Sequence, residues 1–167
     1  MTTPGDMVAA FARTLPFDPD PFQREAMLAL ARGESVLVTA PTGAGKTLVA
    51  DFAAFRAMAT GRKLIYTTPL KALSNQKYRQ LVGQYGAAYA GIATGDTVVN
   101  RDAPLLVMTT EILRNLLVVS RDELRDIGYV VVDEIHFLSD EERGVVWEEM
   151  LMSSRQTYHP HPLAPLC

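Results

Sequence analysis

A glycine-rich segment in the first third of the chain has the composition of a phosphate-binding loop. It follows the apolar run Ser35–Thr39 and reads Ala40-Pro41-Thr42-Gly43-Ala44-Gly45-Lys46-Thr47. Glycine lets the backbone approach a phosphate closely, and the N–H groups that begin a helix attract anions. Lys46 suits the β- and γ-phosphates, and the Thr47 hydroxyl suits the accompanying Mg²⁺. We therefore predict that residues 40–47 bind a nucleoside triphosphate, although Ala40 stands where the strict motif has glycine.

Two carboxylates follow another apolar run. Tyr129–Val132 leads into Asp133-Glu134-Ile135-His136. A carboxylate at the end of a buried strand is costly unless it meets a cation, so we predict that Asp133 holds Mg²⁺, directly or through water, together with Thr47. Glu134 is then placed to orient or activate an attacking water. The predicted catalytic residues are therefore Glu134, Asp133 and Lys46. A solvated turn would explain the acidic pair alone, but the upstream phosphate loop favours a site.

Helices and apolar strands alternate around these two segments. The pattern predicts helices from Asp20-Pro21 to about Arg32, from Gly45 to about Thr60, over Leu70–Tyr85 and over Glu111–Val119. It predicts strands at Ser35–Thr39, Leu64–Thr68, Tyr89–Ala93, Leu105–Thr109 and Tyr129–Val132. Apolar strands that alternate with helices are typical of a parallel sheet covered on both faces. The predicted fold class is thus α/β with a three-layer parallel sheet, whose ligands bind at the carboxyl ends of the strands.

The composition excludes several classes of protein. The chain has 167 residues, of which 48% are hydrophobic and 21% are charged, unlike disordered or collagen-like chains. Its one cysteine, Cys167, excludes a disulfide framework and favours a reducing compartment, so a cytoplasmic location is predicted. No apolar run is long enough to cross a membrane. Residues 52–94 carry six basic and no acidic side chains, which suggests phosphate partners, although a solvated surface is the simpler explanation.

Taken in chain order, six segments resemble the motifs of the superfamily-two helicases, in the DExH branch related to the Ski-type RNA helicases. The matching segments are Phe17 with Asp20–Gln23, Ala40–Thr47, Thr68–Lys77, Gly91–Asp96, Val107–Arg114 and Asp133–His136, and Arg143–Glu149 continues the pattern. The resemblance implies a RecA-like lobe that binds ATP and Mg²⁺. It also implies ATP hydrolysis coupled to the binding of single-stranded RNA or DNA.

The resemblance further implies roles for individual residues. Gln23 would hydrogen-bond the adenine edge, Phe17 would stack on the adenine ring, and His136 would couple the nucleotide state to strand binding. The backbone of one nucleic-acid strand would be contacted by Pro69, Lys71, Thr94, Gly95, Thr109 and Thr110. Hydroxyl and N–H groups suit phosphate contacts that do not depend on base sequence. Lys77 and Arg79 are weaker candidates, which a solvated helix face explains equally well.

The resemblance ends at Glu149. Residues 150–167 lack the Ser-Ala-Thr strand that the family pattern places next, and three prolines at 160, 162 and 165 disfavour a regular element. We therefore expect an N-terminal extension at 1–16, a partial ATP-binding lobe at 17–152 and an irregular proline-rich tail at 153–167. The second helicase lobe is expected to be missing from the chain, and the first lobe is itself expected to be incomplete.

Two other functions stay open on the sequence alone. One is a nucleotide- and strand-binding remnant without useful turnover. The other is an unrelated P-loop kinase or ATPase, which leaves the segments around Gln23, Lys71 and Gly95 unexplained. RNA and DNA both stay open as the strand, because the predicted contacts are to phosphates that the two share.

Overall fold

Five helices and six strands are formed within residues 3–39, 41, 43–119, 126–134 and 165–166, which the computed structural model describes. The helices are α1 (Pro4–Ala12), α2 (Pro21–Ala31), α3 (Thr47–Thr60), α4 (Lys71–Tyr85) and α5 (Thr110–Val119). The strands are β1 (Lys63–Thr68), β2 (Ala90–Ala93), β3 (Val98–Val99), β4 (Leu105–Thr109), β5 (Ile127–Val132) and β6 (Pro165–Leu166). The predicted alternation from α2 to β5 is confirmed apart from the strand at 35–39, whereas α1, β3 and β6 have no counterpart in the prediction.

The strands form one sheet in the order β3-β2-β4-β1-β5-β6. All neighbouring pairs are parallel except the pair of β2 with the short strand β3, which is antiparallel. The central strands β4 and β1 are buried along nearly their whole length. Because the main strands run in one direction, their carboxyl ends share one edge of the sheet, where the predicted site residues lie.

Helices cover both faces of this sheet. Side chains alternate along β1, so Leu64 and Tyr66 join the core formed with α1, α2, α3 and α4. Ile65 points to the opposite face and packs in a second core with Leu113 of α5. This arrangement confirms the predicted three-layer α/β fold.

The first helix belongs to the main core. Thr3 caps α1 by accepting a hydrogen bond from the Asp6 backbone N–H, and the Asp6 carboxylate accepts one from the Thr3 N–H in return. Phe11 is buried, and its ring centroid lies 5.4 Å from those of both Phe52 and Phe55 on α3. The segment predicted as an N-terminal extension therefore packs with the lobe.

The predicted strand Ser35–Thr39 is wrong as a regular strand. Val36 alone forms an isolated bridge, although Val38 is buried in the main core as its apolar character requires. A strand needs a neighbour along its length to pair its N–H and C=O groups. On the β5 side the sheet ends with β6, which spans two residues. The segment before the phosphate loop thus packs by its side chains without forming a strand.

The expectation of an irregular tail does not hold at Pro165 and Leu166. These two residues form β6, which pairs in parallel with Val130 and Val131 of β5. Proline is tolerated at this place because it is the first residue of a strand at the sheet edge, where its missing N–H removes no central ladder bond. Within the described part of the chain, no helix is both long and apolar enough to span a membrane.

Candidate functional site

The phosphate loop turns on two glycines and ends in a helix. Gly43 and Gly45 have φ values of 84° and 77°, which L side chains rarely adopt. The loop then enters α3, with Lys46 as the residue before its first turn and Thr47 as its first residue. The N-terminus of this 14-residue helix therefore offers N–H groups and a positive dipole end to an anion. Two predicted ATP-binding residues, Ala40 and Thr42, lie outside the described residues.

The side chain of Gln23 connects the start of α2 to the phosphate loop. Its Oε1 accepts a hydrogen bond of 2.8 Å from the Asp20 N–H, and its Nε2 donates one of 3.0 Å to the Gly45 carbonyl. Gln23 is buried, and a Cβ atom at Gly45 would come within 2.5 Å of its Nε2. The positive φ therefore favours glycine at position 45, and a larger residue there would also displace the Gln23 amide.

A cavity of about 420 Å³ lies beside the phosphate loop. It is lined by Phe17, Asp18, Asp20, Gln23, Gly43, Ala44, Gly45, Leu48 and Asp51. Phe17 is 54% exposed although it is a large apolar residue, and it lines this space. The structure thus brings together the two residues predicted to bind adenine and three residues of the phosphate loop.

Asp133 is fixed at the end of β5 by three hydrogen bonds. Its N–H donates to the Thr67 carbonyl of β1 at 2.9 Å and extends the parallel ladder. Its Oδ2 accepts a bond of 2.6 Å from the Tyr66 hydroxyl, and its Oδ1 accepts one of 2.9 Å from the Glu134 N–H. Glu134 has a φ of 55°, an unusual conformation for a residue with a side chain. The chain therefore turns sharply immediately after the Asp133 carboxylate.

A buried ion pair lies behind Tyr66. Lys77 Nζ is 2.8 Å from Asp51 Oδ1, with side-chain exposures of 7% and 19%, and 4.6 Å from the centroid of the Tyr66 ring. Lys77 therefore contributes to the interior, and its suggested place on a nucleic-acid surface is wrong. Burial and the Asp133 carboxylate raise the pKa of Tyr66, so its hydroxyl stays protonated and donates.

The donor set at the strand end fits a magnesium ion that is shared with phosphate oxygens. One Asp133 oxygen accepts from the Tyr66 hydroxyl and the other from the Glu134 N–H. Each oxygen therefore keeps a lone pair for a cation. Mg²⁺ takes oxygen ligands and is usually held by one or two protein groups plus substrate phosphates. Among the described residues, no three His, Cys, Asp or Glu side chains cluster as a metal site. A protein-only metal centre is therefore not formed within that part of the chain.

Three of the residues predicted to bind a strand meet around Asp96. The Asp96 carboxylate accepts a 2.9 Å hydrogen bond from the Thr94 hydroxyl and lies 3.2 Å from Lys71 Nζ. The Thr94 hydrogen bond and the Lys71 ammonium lower the pKa of Asp96, so this acid is ionised at neutral pH. Gly95 stands beside them, since a Cβ atom there would be 3.9 Å from Lys71 Nζ.

The remaining predicted strand-binding residues lie at the ends of β1 and β4. Thr109 ends β4, and Thr110 begins α5 with its hydroxyl 2.9 Å from that of Thr67. Both side chains are buried, so a nucleic-acid strand would contact mainly the backbone groups of these two residues. Pro69 is half-buried and directly follows β1. These residues share the edge of the sheet that also holds Asp133.

Several residues of this region were not found by sequence reasoning. The missed residues are Tyr66, Asp51 and Asp96. Each contacts residues that are distant in the chain, and a local sequence pattern does not reveal such contacts. Asp96 had the clearest sequence signal, because it is the first acid after the basic stretch 52–94 and follows a predicted strand by three residues. His136, predicted to couple the two sites, lies outside the described residues.

Comparison with known proteins identifies relatives of the chain. The DEAD/DEAH box helicase family matches residues 20–163. The chain is 54% identical over 145 residues to a probable helicase HelY of Mycobacterium leprae, and 50% identical over 141 residues to the ATP-dependent RNA helicase mtr4 of Schizosaccharomyces pombe. The first match covers 87% of this chain and 16% of the relative; the second covers 84% and 12%. The chain therefore spans a small part of the length of these relatives.

A solved structure shares the fold. It is the structure of Mycobacterium smegmatis helicase Lhr bound to ssDNA and AMP-PNP, with a TM-score of 0.72 and 26% identity. The match covers 96% of this chain and 24% of that chain. The similarity extends over nearly the whole chain.

Proposed function

The chain belongs to the DEAD/DEAH box helicase family, and from that membership we propose that it forms the RecA-like ATP-binding lobe of a DExH-box helicase that acts on RNA or DNA. The proposed reaction is attack of water on the γ-phosphorus of ATP, which yields ADP and phosphate. Coupling of this reaction to strand displacement would require a second lobe. Because the chain has a single cysteine, we also propose a reducing, cytoplasmic location.

The cavity beside the phosphate loop is the observation that carries the proposal. An amide side chain offers two donor and two acceptor positions, and the contacts with Asp20 and Gly45 use one of each in Gln23. The second N–H and the second acceptor position complement the N7 and N6 edge of adenine. Phe17 lines the same cavity and would stack on the base. The phosphates would then reach the loop glycines and the N-terminus of α3.

The chemistry would take place between α3 and the end of β5. Lys46 would contact the β- and γ-phosphates, while the Thr47 hydroxyl and the Asp133 carboxylate would hold Mg²⁺. Bound Mg²⁺ supplies charge neutralisation at the phosphate oxygens. Glu134 would orient the attacking water and accept its proton. The phosphate-loop residues Ala40, Pro41, Thr42, Gly43, Ala44 and Gly45 would complete the ATP site.

A single strand would bind along the carboxyl ends of β1, β2 and β4. Lys71 would contribute an exposed ammonium, and Pro69, Thr94, Gly95, Thr109 and Thr110 would contribute neutral contacts. The Lhr helicase structure, which shares this fold, is bound to ssDNA, and that supports the binding of a single strand. His136, three residues after Asp133, stays the proposed link between the nucleotide and the strand.

Two substitutions at the strand end test the proposal by separating binding from turnover. Glu134→Gln keeps the size and hydrogen bonding of the side chain but removes its base, so it should bind Mg·ATP as the wild type does and lose hydrolysis. Asp133→Asn should instead weaken the dependence of ATP binding on Mg²⁺. Hydrolysis at the wild-type rate by Glu134→Gln would contradict the assigned role of this residue.

Binding without useful turnover is the second candidate function. The absence of a regular strand at 35–39 favours it, because in this structure the segment that leads into the phosphate loop is not held by a sheet ladder. The experiment above distinguishes the two candidates. Wild-type chain that binds Mg·ATP without measurable hydrolysis would support the binding function over the enzymatic one.

A further inference from the structure

Tyr66 lies on the strand next to Asp133 and reaches the proposed magnesium ligand. In the parallel ladder Tyr66 of β1 stands opposite Val131 of β5, two residues before Asp133. Its side chain extends toward the carboxyl ends of the strands, and its hydroxyl donates to Asp133 Oδ2 at 2.6 Å. The other oxygen, Oδ1, is held by the Glu134 N–H. Because the two bonds hold different oxygens, together they fix the rotation of the carboxylate plane.

The position of Tyr66 is itself determined by a charged pair. Lys77 of α4 places its ammonium 4.6 Å from the centroid of the Tyr66 ring and 2.8 Å from Asp51 Oδ1. Lys77 also lies 3.3 Å from Gln80 Oε1, so its ammonium has several partners. Lys77 is on α4 and Asp51 is on α3, and these two helices cover the face of the sheet that Tyr66 occupies. The Tyr66 ring therefore has a cation on its face and a carboxylate at its hydroxyl.

Asp51 connects this network to the phosphate loop. It lies four residues after Thr47 on α3, which places the two side chains on the same face of the helix, one turn apart. Asp51 also lines the cavity beside the loop. The contacts from Asp51 through Lys77 and Tyr66 to Asp133 thus connect the helix that carries one proposed magnesium ligand to the strand that carries the other.

We propose that Tyr66 is a positioning residue for Asp133, and that the Asp51–Lys77 pair holds Tyr66 so that the two magnesium ligands keep a fixed spacing. The inference rests on the proposed function, because it takes Thr47 and Asp133 as the groups that hold Mg²⁺. Tyr66 touches neither nucleotide nor metal in this account. It acts through the carboxylate that it holds.

Tyr66→Phe tests the inference with little change to the packing. The substitution keeps the ring beside the Lys77 ammonium and removes the hydroxyl that donates a hydrogen bond to Asp133. In the full chain, a fluorescent ATP analogue titrated at a series of Mg²⁺ concentrations should show a Mg²⁺ midpoint raised by roughly tenfold, as expected when a partner behind a metal ligand is lost. Affinity for the analogue in EDTA should stay unchanged, since the loop and the cavity are intact.

Tyr129→Phe is the matched control. Tyr129 is a buried tyrosine in the neighbouring strand β5, with the Arg56 guanidinium 5.4 Å from its ring centroid. It lies four residues before Asp133, and no contact joins it to that carboxylate among those found for Asp133, so removal of its hydroxyl should leave the Mg²⁺ midpoint unchanged. In an Asp133→Asn background, Tyr66→Phe should have no further effect on the midpoint, because its target has been removed.

The outcomes separate this inference from the proposed function. Wild-type chain whose nucleotide binding does not depend on Mg²⁺ would overturn the proposed function and the inference with it. A Mg²⁺-dependent wild type with an identical midpoint in Tyr66→Phe would overturn the inference alone. An equal loss of affinity in EDTA would assign Tyr66 a purely structural role and would also overturn the inference. A raised midpoint confined to Tyr66→Phe, and absent in the Asp133→Asn background, would support it.

Discussion

The Nε2 atom of Gln23 donates a 3.0 Å hydrogen bond to the carbonyl oxygen of Gly45 and so ties the first turn of α2 to the phosphate loop. The same amide accepts from the Asp20 N–H, which caps the start of α2. One buried side chain therefore sets the position of two segments that are 22 residues apart in the chain. The adenine end and the phosphate end of the proposed nucleotide site are built on this contact.

Gln23→Glu should destabilise the chain by about 1–3 kcal/mol, because it replaces the N–H that faces the Gly45 carbonyl with an acceptor. The oxygen that accepts from Asp20 is kept, so the capped start of α2 should survive. Gln84→Glu, the same change at an exposed site on α4, should alter stability by less than about 0.5 kcal/mol. Urea denaturation measures both. Equal midpoints for Gln23→Glu and wild type would show that the contact has no role in stability.

Gly91→Ala should destabilise the sheet by at least about 1–3 kcal/mol, because a Cβ atom at this position in β2 would overlap the carbonyl oxygen of Asn100. Backbone atoms cannot move aside as a side chain can. Gly83→Ala is the control: Gly83 is in α4 with nothing within 4 Å of an added Cβ, and alanine favours helix by about 0.5–1 kcal/mol. Thermal denaturation should show Tm changes of opposite sign. A melting temperature for Gly91→Ala at or above that of the wild type would refute the close contact.

Asp51→Asn should destabilise the chain by about 3 kcal/mol, because it leaves the Lys77 ammonium buried without its carboxylate. The Asp18 carboxylate of the exposed pair with Arg24 is 96% exposed, and Asp18→Asn should change stability by less than about 1 kcal/mol. Chemical denaturation of the two variants makes the comparison. A small effect of Asp51→Asn, similar to that of Asp18→Asn, would mean that water reaches Lys77 in solution.

Lys71→Ala should weaken binding of single strands and reduce the slope of log affinity against log salt by about one, as expected for one lost phosphate contact. Lys63→Ala is the control, because Lys63 is at the opposite end of β1, where its ammonium donates to the Arg101 carbonyl. Fluorescence anisotropy with a labelled homopolymer at several salt concentrations measures both slopes. A larger change of slope in Lys63→Ala than in Lys71→Ala would show that the nucleic acid binds at the opposite edge of the sheet.

Local signals in the sequence predicted most of the fold. The start of α2 was predictable because Asp20-Pro21 with Gln23 three residues after Asp20 is a helix-start pattern, and Gly61 ends α3 in a left-handed conformation as expected. The helix α1 was missed, although Thr3, Pro4 and Asp6 carry a similar signal. The strand Ser35–Thr39 was predicted wrongly because an apolar run shows burial, whereas a strand also needs a paired neighbour.

The candidate site was predictable where chemistry depends on neighbours in sequence. The phosphate loop and the acids that follow β5 are such cases. The network behind them was not predictable, because Tyr66 and Asp133 are 67 residues apart and Lys77 and Asp51 are 26 apart. A lysine within a basic stretch gives no local sign that it is buried. The interior place of Lys77 follows only once α3 and α4 pack on the same face of the sheet.

Binding of Mg·ATP to the full 167-residue chain, compared between wild type and Lys46→Ala, tests the central claim most directly. Lys46 is the one lysine of the phosphate loop and lies where α3 begins. Because it would make a charge-assisted contact with the phosphates, worth more than about 1.5 kcal/mol, its loss should weaken affinity by at least about tenfold. Titration of a fluorescent ATP analogue in the presence of Mg²⁺ should show this loss, with Lys63→Ala unchanged as the control. Equal affinity of wild type and Lys46→Ala would contradict the assignment of the nucleotide site.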